Sequence, residues 1–141
     1  MAPRASLTRR VTFSAAHRYR RPEWDDARNE ATFGLCARKN WHGHTYVCDV
    51  TVSGAVDPLT GFCADLGVLD RALRTRVVEV LDHRNLVLDV PAFAEGKLIP
   101  TTENLAWWIA REVQDALGAS ARVSRVRVAE EPGLWAEVEP A

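Results

Sequence analysis

Two histidines and two cysteines lie in the stretch CARKNWHGHTYVCD, which runs from Cys36 to Asp49. Imidazole nitrogens and thiolates are the ligands that zinc takes most often in proteins. In a β-strand, His42 and His44 would point to the same face about 6.6 Å apart, so both rings could reach one ion. Gly43 between them would permit close backbone approach on the other face. Alone, H-G-H is a motif of low specificity, and it indicates a metal site only if a third ligand is found.

His17 is the candidate for that third ligand. It lies at the end of the preceding apolar/polar alternation, in FSAAH, and that strand would pair antiparallel with the strand that follows His42. Three histidines around an ion leave a fourth position open, which is the arrangement of a catalytic zinc site. A single histidine at a strand end is more often a polar residue with one hydrogen bond.

The three cysteines separate by position. Cys48 lies four residues beyond His44, roughly 13 Å along an extended strand, which is too far for a shared ion. Its parity with Tyr46 predicts a buried core thiol, and Cys63 has the same interpretation. Cys36 differs, because the irregular segment after it could fold back towards the histidines. Its spacing leaves two alternatives open, a metal ligand and a reactive thiol.

A second chemical pair, Asp82 and His83, occurs in LDHRNL at the end of a predicted helix. A carboxylate that orients a histidine is the usual support for acid–base chemistry at neutral pH. The alternative is a histidine that interacts with the negative end of a helix dipole, and that alternative is the commoner one for an isolated pair.

The elements that must position these residues follow from periodicity. Residues 7–17 and 44–53 have the alternation and composition of strands, and residues 122–130 and 134–138 predict two more around the turn EPG. Apolar spacings of three and four predict a helix from an N-cap at Asp65 and a second from about 102 to 117, capped by Thr101 or Thr102. The order of elements predicts an α+β domain with an antiparallel sheet and helices on one face.

Composition excludes several classes of function. The chain has 141 residues, which fits one domain over residues 1–141, and no apolar run of 18 residues that would cross a membrane. A net charge of −1 argues against a general nucleic-acid binder. Three cysteines without disulfide-framework spacing, and no signal-peptide pattern, favour the cytoplasm. Clustered arginines indicate a solvated face, or else an electropositive mouth for an anionic substrate.

Six motifs occur in a fixed order: FSAAH, FGLCARKNWHGHTY, DPLTG, LDHRNL, PTTEN and a terminal strand that ends at Glu130. This series resembles the 6-pyruvoyl-tetrahydropterin synthase family, which includes the 6-carboxytetrahydropterin synthases of queuosine (7-deazaguanine) biosynthesis. The resemblance covers about residues 8–138. It implies the tunnelling fold, in which β-β-α-α-β-β subunits close a barrel as a trimer and two trimers stack into a homohexamer. The element order predicted above agrees with it.

The resemblance also implies a role for individual residues. Zn²⁺ would be bound by His17, His42 and His44. The catalytic residues would be Cys36, Asp82 and His83, and the pterin would contact Thr101, Thr102, Glu103 and Glu130. In this family the pocket forms between subunits, so the catalytic groups need not come from one chain.

The implied reaction is the zinc-dependent conversion of 7,8-dihydroneopterin triphosphate to 6-pyruvoyl-tetrahydropterin, with elimination of triphosphate. The first alternative is 6-carboxy-5,6,7,8-tetrahydropterin synthesis, which releases acetaldehyde and serves queuosine formation. The gap of five residues between Cys36 and His42 is typical of the pyruvoyl-forming enzymes, whereas carboxy-forming enzymes typically have three. The second alternative is a non-catalytic zinc- or pterin-binding module, in which Cys36 and the three histidines close a structural site.

The sequence departs from the family pattern at two places. Ala129 and Glu131 flank Glu130, where relatives usually carry an aromatic residue and threonine. Glu131 is therefore a rival for the pterin-anchoring carboxylate. Trp41 precedes the first zinc histidine, at a position where small residues are common.

Overall fold

A five-stranded sheet forms the base of the fold in the computed structural model, which describes residues 2–140. The spatial order is β3-β1-β2-β4-β5, and all neighbours are antiparallel except β3, which runs parallel to β1. The predicted antiparallel sheet is confirmed. The first two strands are longer than predicted, since β1 begins at Arg4 instead of residue 7, and β2 begins at His42 instead of residue 44. The strands are β1 Arg4–His17, β2 His42–Ala55, β3 Arg84–Asn85, β4 Arg122–Glu131 and β5 Leu134–Val138.

Two predicted helices cover one face of this sheet. The first begins after Asp65, whose carboxylate accepts a hydrogen bond from the Val68 amide, and consists of three consecutive segments that end just before Asp82. The second begins after Thr101 and ends before Gly118. No helix in residues 2–140 has the length and apolar content of a membrane span. The segments are α2 Leu66–Leu73, a π-helical turn Arg74–Val78, α3 Glu79–Leu81, and α5 Thr102–Leu117.

The core lies between the helices and the inner face of the sheet. Strand alternation sends every second side chain of β1 and β2 inward, so that Phe13 stacks on Tyr46 with ring centroids 5.0 Å apart. Cys48 is completely buried on the same face, and its predicted place in the core is confirmed. The helices contribute aliphatic side chains to the same cluster, among them Leu69, Leu73, Leu105, Ile109 and Val113.

Helix α1 (Asp26–Phe33) is an element that periodicity did not predict. Its only buried side chain is Asn29, whose amide bonds the carbonyls of Arg21, Trp24 and Asp25. The helix is therefore held by polar contacts rather than by an apolar stripe. It leads into a 3₁₀ turn, Gly34–Ala37, that carries Cys36. Short elements also follow His83, namely helix α4 Leu86–Asp89 and a 3₁₀ turn Pro91–Phe93.

Serine substitutions at Cys48 and Cys36 should separate a core thiol from a site thiol. We expect Cys48→Ser to lower the free energy of unfolding by about 1–3 kcal/mol, because a hydroxyl would be buried among apolar side chains. Cys36→Ser should change it by no more than about 0.5 kcal/mol, because that side chain is partly exposed. Denaturant unfolding at one fixed protein concentration measures both. Equal effects would contradict the placement of Cys48.

Candidate active site

The three predicted zinc histidines converge on the inner face of the sheet. The register of β1 and β2 places His17 directly opposite His42, and His44 follows two residues later on the same face. One ring nitrogen from each histidine lies within 4.8 Å of the other two. The strand pairing predicted from sequence is therefore the reason that the cluster forms. His17 is fully buried, while the other two are partly exposed and open towards solvent.

His17 has its tautomer set by its surroundings. Its Nδ1 lies 2.9 Å from the Pro100 carbonyl oxygen and 3.0 Å from the Tyr46 hydroxyl oxygen. Because a carbonyl oxygen only accepts, Nδ1 carries the proton, and Nε2 keeps a free lone pair. This Nε2 is buried without a hydrogen-bond partner among residues 2–140. Burial, above all, lowers the pKa of His17 to about 4, although the bond to Pro100 acts in the opposite direction.

A divalent metal ion fits this donor set. The buried Nε2 of His17 needs a partner, the ring is neutral at physiological pH, and two further imidazoles approach the same point. Burial also lowers the pKa of His42, and the neighbouring His44 adds to that effect. Neutral imidazoles bind zinc, and a second-sphere acceptor on Nδ1 orients the ligand ring.

Glu130 is the carboxylate that faces the cluster. Its Oε2 accepts a hydrogen bond of 3.1 Å from the Thr102 hydroxyl and lies 3.9 Å from Nε2 of His44. Its side chain is 11% exposed, so the carboxylate lies in a sheltered position. Glu131, the rival in the sequence, is exposed at the end of β4. The geometry therefore favours Glu130 over Glu131.

The three residues of the neighbouring segment Thr101–Glu103 differ in their contacts and burial. The Thr101 hydroxyl oxygen caps helix α5 by accepting a 3.1 Å hydrogen bond from the Asn104 amide. Thr102 is buried against Glu130, and Glu103 is exposed in the first helical turn. These three residues and Glu130 were predicted to contact the pterin. Of the three, Thr102 alone forms a hydrogen bond to the Glu130 carboxylate within residues 2–140.

Cys36 is held close to the end of β1 by two hydrogen bonds that its own carbonyl and the next one accept. The Tyr19 amide donates a 2.8 Å hydrogen bond to the Cys36 carbonyl, and Arg18 Nε donates one of 3.0 Å to the Ala37 carbonyl. Burial and the negative charge of Glu130 raise the pKa of the Cys36 thiol. Its sulfur is not part of the histidine cluster found in residues 2–140. The position is that of a thiol beside the site rather than of a fourth ligand.

Asp82 and His83 are held at the edge of the sheet, where β3 joins β1. Asp82 Oδ1 accepts a 2.9 Å hydrogen bond from the Ser14 amide, and its Oδ2 lies 3.0 Å from His83 Nδ1. The Ser14 amide, followed by His83, lowers the pKa of Asp82. The His83 side chain is 84% exposed and borders an open depression that Ser14, His44 and Thr45 also line. No hydrogen bond or ion pair found within residues 2–140 joins this pair to Cys36.

The sequence profile of the 6-pyruvoyl tetrahydropterin synthase family matches residues 6–141 of this chain. The chain belongs to this family. The 6-pyruvoyl tetrahydrobiopterin synthase of Drosophila melanogaster is 40% identical over 130 residues, which are 92% of this chain and 76% of that protein. The human protein of the same name is 41% identical over 113 residues, 80% of this chain and 77% of its own length.

A solved relative confirms the fold of the family in this chain. The structure of Caenorhabditis elegans 6-pyruvoyl tetrahydropterin synthase superposes with a TM-score of 0.93 at 33% identity, and the match covers 99% of this chain and 98% of that one. The predicted α+β architecture with an antiparallel sheet is therefore the family fold.

Two tyrosines at the site were not predicted from the sequence. The Tyr19 ring meets the His17 ring edge-on at a centroid distance of 4.9 Å, and burial, followed by the charge of Glu130, raises the pKa of its hydroxyl. The Tyr46 hydroxyl lies 3.0 Å from His17 Nδ1. Tyr46 lies two residues after His44 on β2, so strand alternation alone places it on the same face of the sheet. Tyr19 follows the end of β1, where parity no longer applies.

Metal content should depend on the histidines and not on the thiol. We expect the purified protein to hold about one divalent ion per chain, His42→Ala to lose it, and Cys36→Ala to retain it. Elemental analysis after dialysis measures this. Loss of the ion in Cys36→Ala would make Cys36 a ligand and overturn the assignment.

Removal of each tyrosine hydroxyl tests the support of His17. Tyr46→Phe should weaken metal affinity about tenfold, because it removes a group that contacts the ligand ring. Tyr19→Phe is the matched control and should leave affinity within about twofold, because that ring contacts His17 through its edge. Competition with a chromophoric chelator gives both values. A larger loss in Tyr19→Phe than in Tyr46→Phe would contradict this description.

Proposed function

We propose that this chain converts 7,8-dihydroneopterin triphosphate to 6-pyruvoyl-tetrahydropterin with elimination of triphosphate, and that the metal is zinc. The observation that carries the proposal is the gathering of three groups on one face: the histidine cluster with its free Nε2, the Cys36 thiol and the Glu130 carboxylate. Relatives that are about 40% identical are named 6-pyruvoyl tetrahydrobiopterin synthases.

Glu130 would anchor the pterin ring. The amino-pyrimidinone edge of a pterin presents neighbouring N–H donors, and a carboxylate can accept two of them in parallel. Thr102 donates to Oε2 and thereby restricts the rotation of the carboxylate. Because Glu130 Oε2 lies 3.9 Å from His44 Nε2, a ring anchored in this way would be held beside the histidine cluster.

His17, His42 and His44 would hold the zinc ion, which as a Lewis acid polarises the oxygens of the substrate side chain and acidifies the adjacent C–H bond. The thiolate of Cys36 would then take that proton on Sγ. The electron pair of that C–H bond would pass into a C=N bond of the dihydropterin ring, whose nitrogen takes up a proton while the side-chain carbinol becomes a carbonyl. Loss of a second proton, from the next side-chain carbon, would expel triphosphate from the terminal carbon, and the enol that remains would tautomerise to the second carbonyl. No nicotinamide is needed. Burial and the negative charge of Glu130 raise the pKa of the Cys36 thiol, so the thiolate requires compensating positive charge, from the bound zinc ion and from an acid–base partner.

Asp82 and His83 of a second subunit would supply part of that activation. They are held by the Ser14 backbone, and the exposed His83 side chain could reach the Cys36 of a neighbouring copy, as the family resemblance implies. This supports a homohexamer with active sites between subunits. We further infer that residues 1–141 form a single domain, since the family profile matches residues 6–141. We also infer that the protein acts in the cytoplasm, because its three cysteines lack the spacing of a disulfide framework.

The activity is tested by incubating zinc-loaded protein with 7,8-dihydroneopterin triphosphate. We expect release of triphosphate and, by mass spectrometry, 6-pyruvoyl-tetrahydropterin. The carboxy product with acetaldehyde would instead establish the reaction of queuosine biosynthesis. No triphosphate release from zinc-loaded protein would reject catalysis and leave the binding module.

Mixed assemblies test the contribution of two subunits to one site. Cys36→Ala and His83→Ala should each lower kcat by at least about a hundredfold, because each removes an acid–base group. Subunits of the two variants, dissociated together and reassembled, should recover a substantial part of the activity. Recovery cannot occur if both residues act within one chain, so its absence in correctly assembled mixtures would contradict the shared site.

A further inference from the structure

Most arginine clusters of the chain are excluded as a binding site for an anionic substrate by their distance or their partners. Arg9 and Arg10 lie eight and seven residues before His17, about 26 and 23 Å away along β1. Arg9 pairs with Asp70 at 2.9 Å, and Arg10 pairs with Asp49 at 2.7 Å.

The cluster on β4 is equally remote. Arg122 and Arg125 are exposed near the start of that strand, at least about 16 Å from Glu130 at its other end. Arg127 stacks on the Trp135 ring, with its guanidinium carbon 4.2 Å from the ring centroid. None of these groups is directed to the histidine cluster.

Five other basic residues line two adjoining cavities beside the site. The first has a volume of about 260 Å³ and is lined by Arg18, Arg20 and Lys97. The second is more open, and Arg38 and Lys39 add to the same two arginines there. The acidic side chains of the two cavities are Asp26, Glu30 and Glu95, so five basic groups exceed three acidic ones.

These cavities border the residues that build the histidine cluster. Trp41, which directly precedes His42, lines the first cavity, as does Pro100, whose carbonyl accepts from His17. Arg18 directly follows His17, and its Nε donates to the Ala37 carbonyl beside Cys36. The basic residues therefore lie next to the histidine cluster and next to Cys36.

Within residues 2–140 the cations of the cavities differ in their partners. Arg20 forms ion pairs with Asp26 at 2.7 Å and with Glu95 at 3.5 Å. No ion pair of these residues involves Arg18, Arg38, Lys39 or Lys97. Arg18 and Lys39 also help to lower the pKa of Asp26, after the larger effect of Arg20.

We propose that Arg18, Arg38, Lys39 and Lys97 form a triphosphate rim that binds the polyphosphate group of the substrate. This inference rests on the proposed function, which requires a triphosphate to be held while its C–O bond breaks. Cations beside the leaving group offset the negative charge that develops on it. The rim also explains the composition of the segment ARKNW between Cys36 and His42, where two cations lie between the thiol and the metal ligands.

Calorimetric titration with inorganic tripolyphosphate tests the rim without catalysis. The double variant Arg38→Ala/Lys39→Ala should bind tripolyphosphate at least about tenfold more weakly than the wild type, since charged hydrogen bonds are lost. Arg122→Ala/Arg125→Ala is the matched control, with the same change in net charge, and should stay within about twofold. Retained metal content and circular dichroism would show that both variants fold.

Steady-state kinetics give a second, separate readout. The rim variant should raise KM for the triphosphate substrate at least about tenfold, while inhibition by 7,8-dihydroneopterin, which has no phosphate, should be unchanged. Equal weakening in the two double variants, or no binding of tripolyphosphate by the wild type, would overturn the rim. Tripolyphosphate binding that depends on the rim in a protein without turnover would support the rim and reject the proposed reaction.

Discussion

The hydrogen bond from His17 Nδ1 to the Pro100 carbonyl is the constraint on which the site depends. It joins the end of β1 to the segment just before α5. It also fixes the tautomer, so that Nε2 keeps a lone pair that can bind a metal. The same burial that makes His17 neutral leaves Nε2 without any partner in residues 2–140. An orphaned buried nitrogen is costly, and a bound cation relieves that cost.

The sheet separates two half-sites. Its inner face presents the histidine cluster and Glu130, with Cys36 beside them, while its β1 edge presents the Asp82–His83 pair outward. Each half-site is rigid by itself, since the first is held by strand register and the second by the Ser14 backbone. Under the proposed function the reaction would need groups from both half-sites, which agrees with the inter-subunit site implied by the family resemblance.

Strand parity and helix caps could be predicted from the sequence because they are local. The pairing of His17 with His42, the burial of Cys48, and the caps at Asp65 and Thr101 all follow from spacing and residue type. The Pro100 carbonyl could not be predicted, because any residue offers a backbone acceptor. Helix α1 was missed because it is held by Asn29 rather than by an apolar stripe, and Tyr19 because its chain segment is irregular.

X-ray absorption at the zinc edge of the zinc-loaded protein tests the central claim, an open three-histidine site with Cys36 beside it, most directly. We expect a first shell of nitrogen and oxygen only, with Zn–N distances near 2.0–2.1 Å and an imidazole scattering pattern. A Zn–S distance near 2.3 Å would contradict the account, because it would make Cys36 a ligand in a closed structural site and remove the base from the proposed reaction.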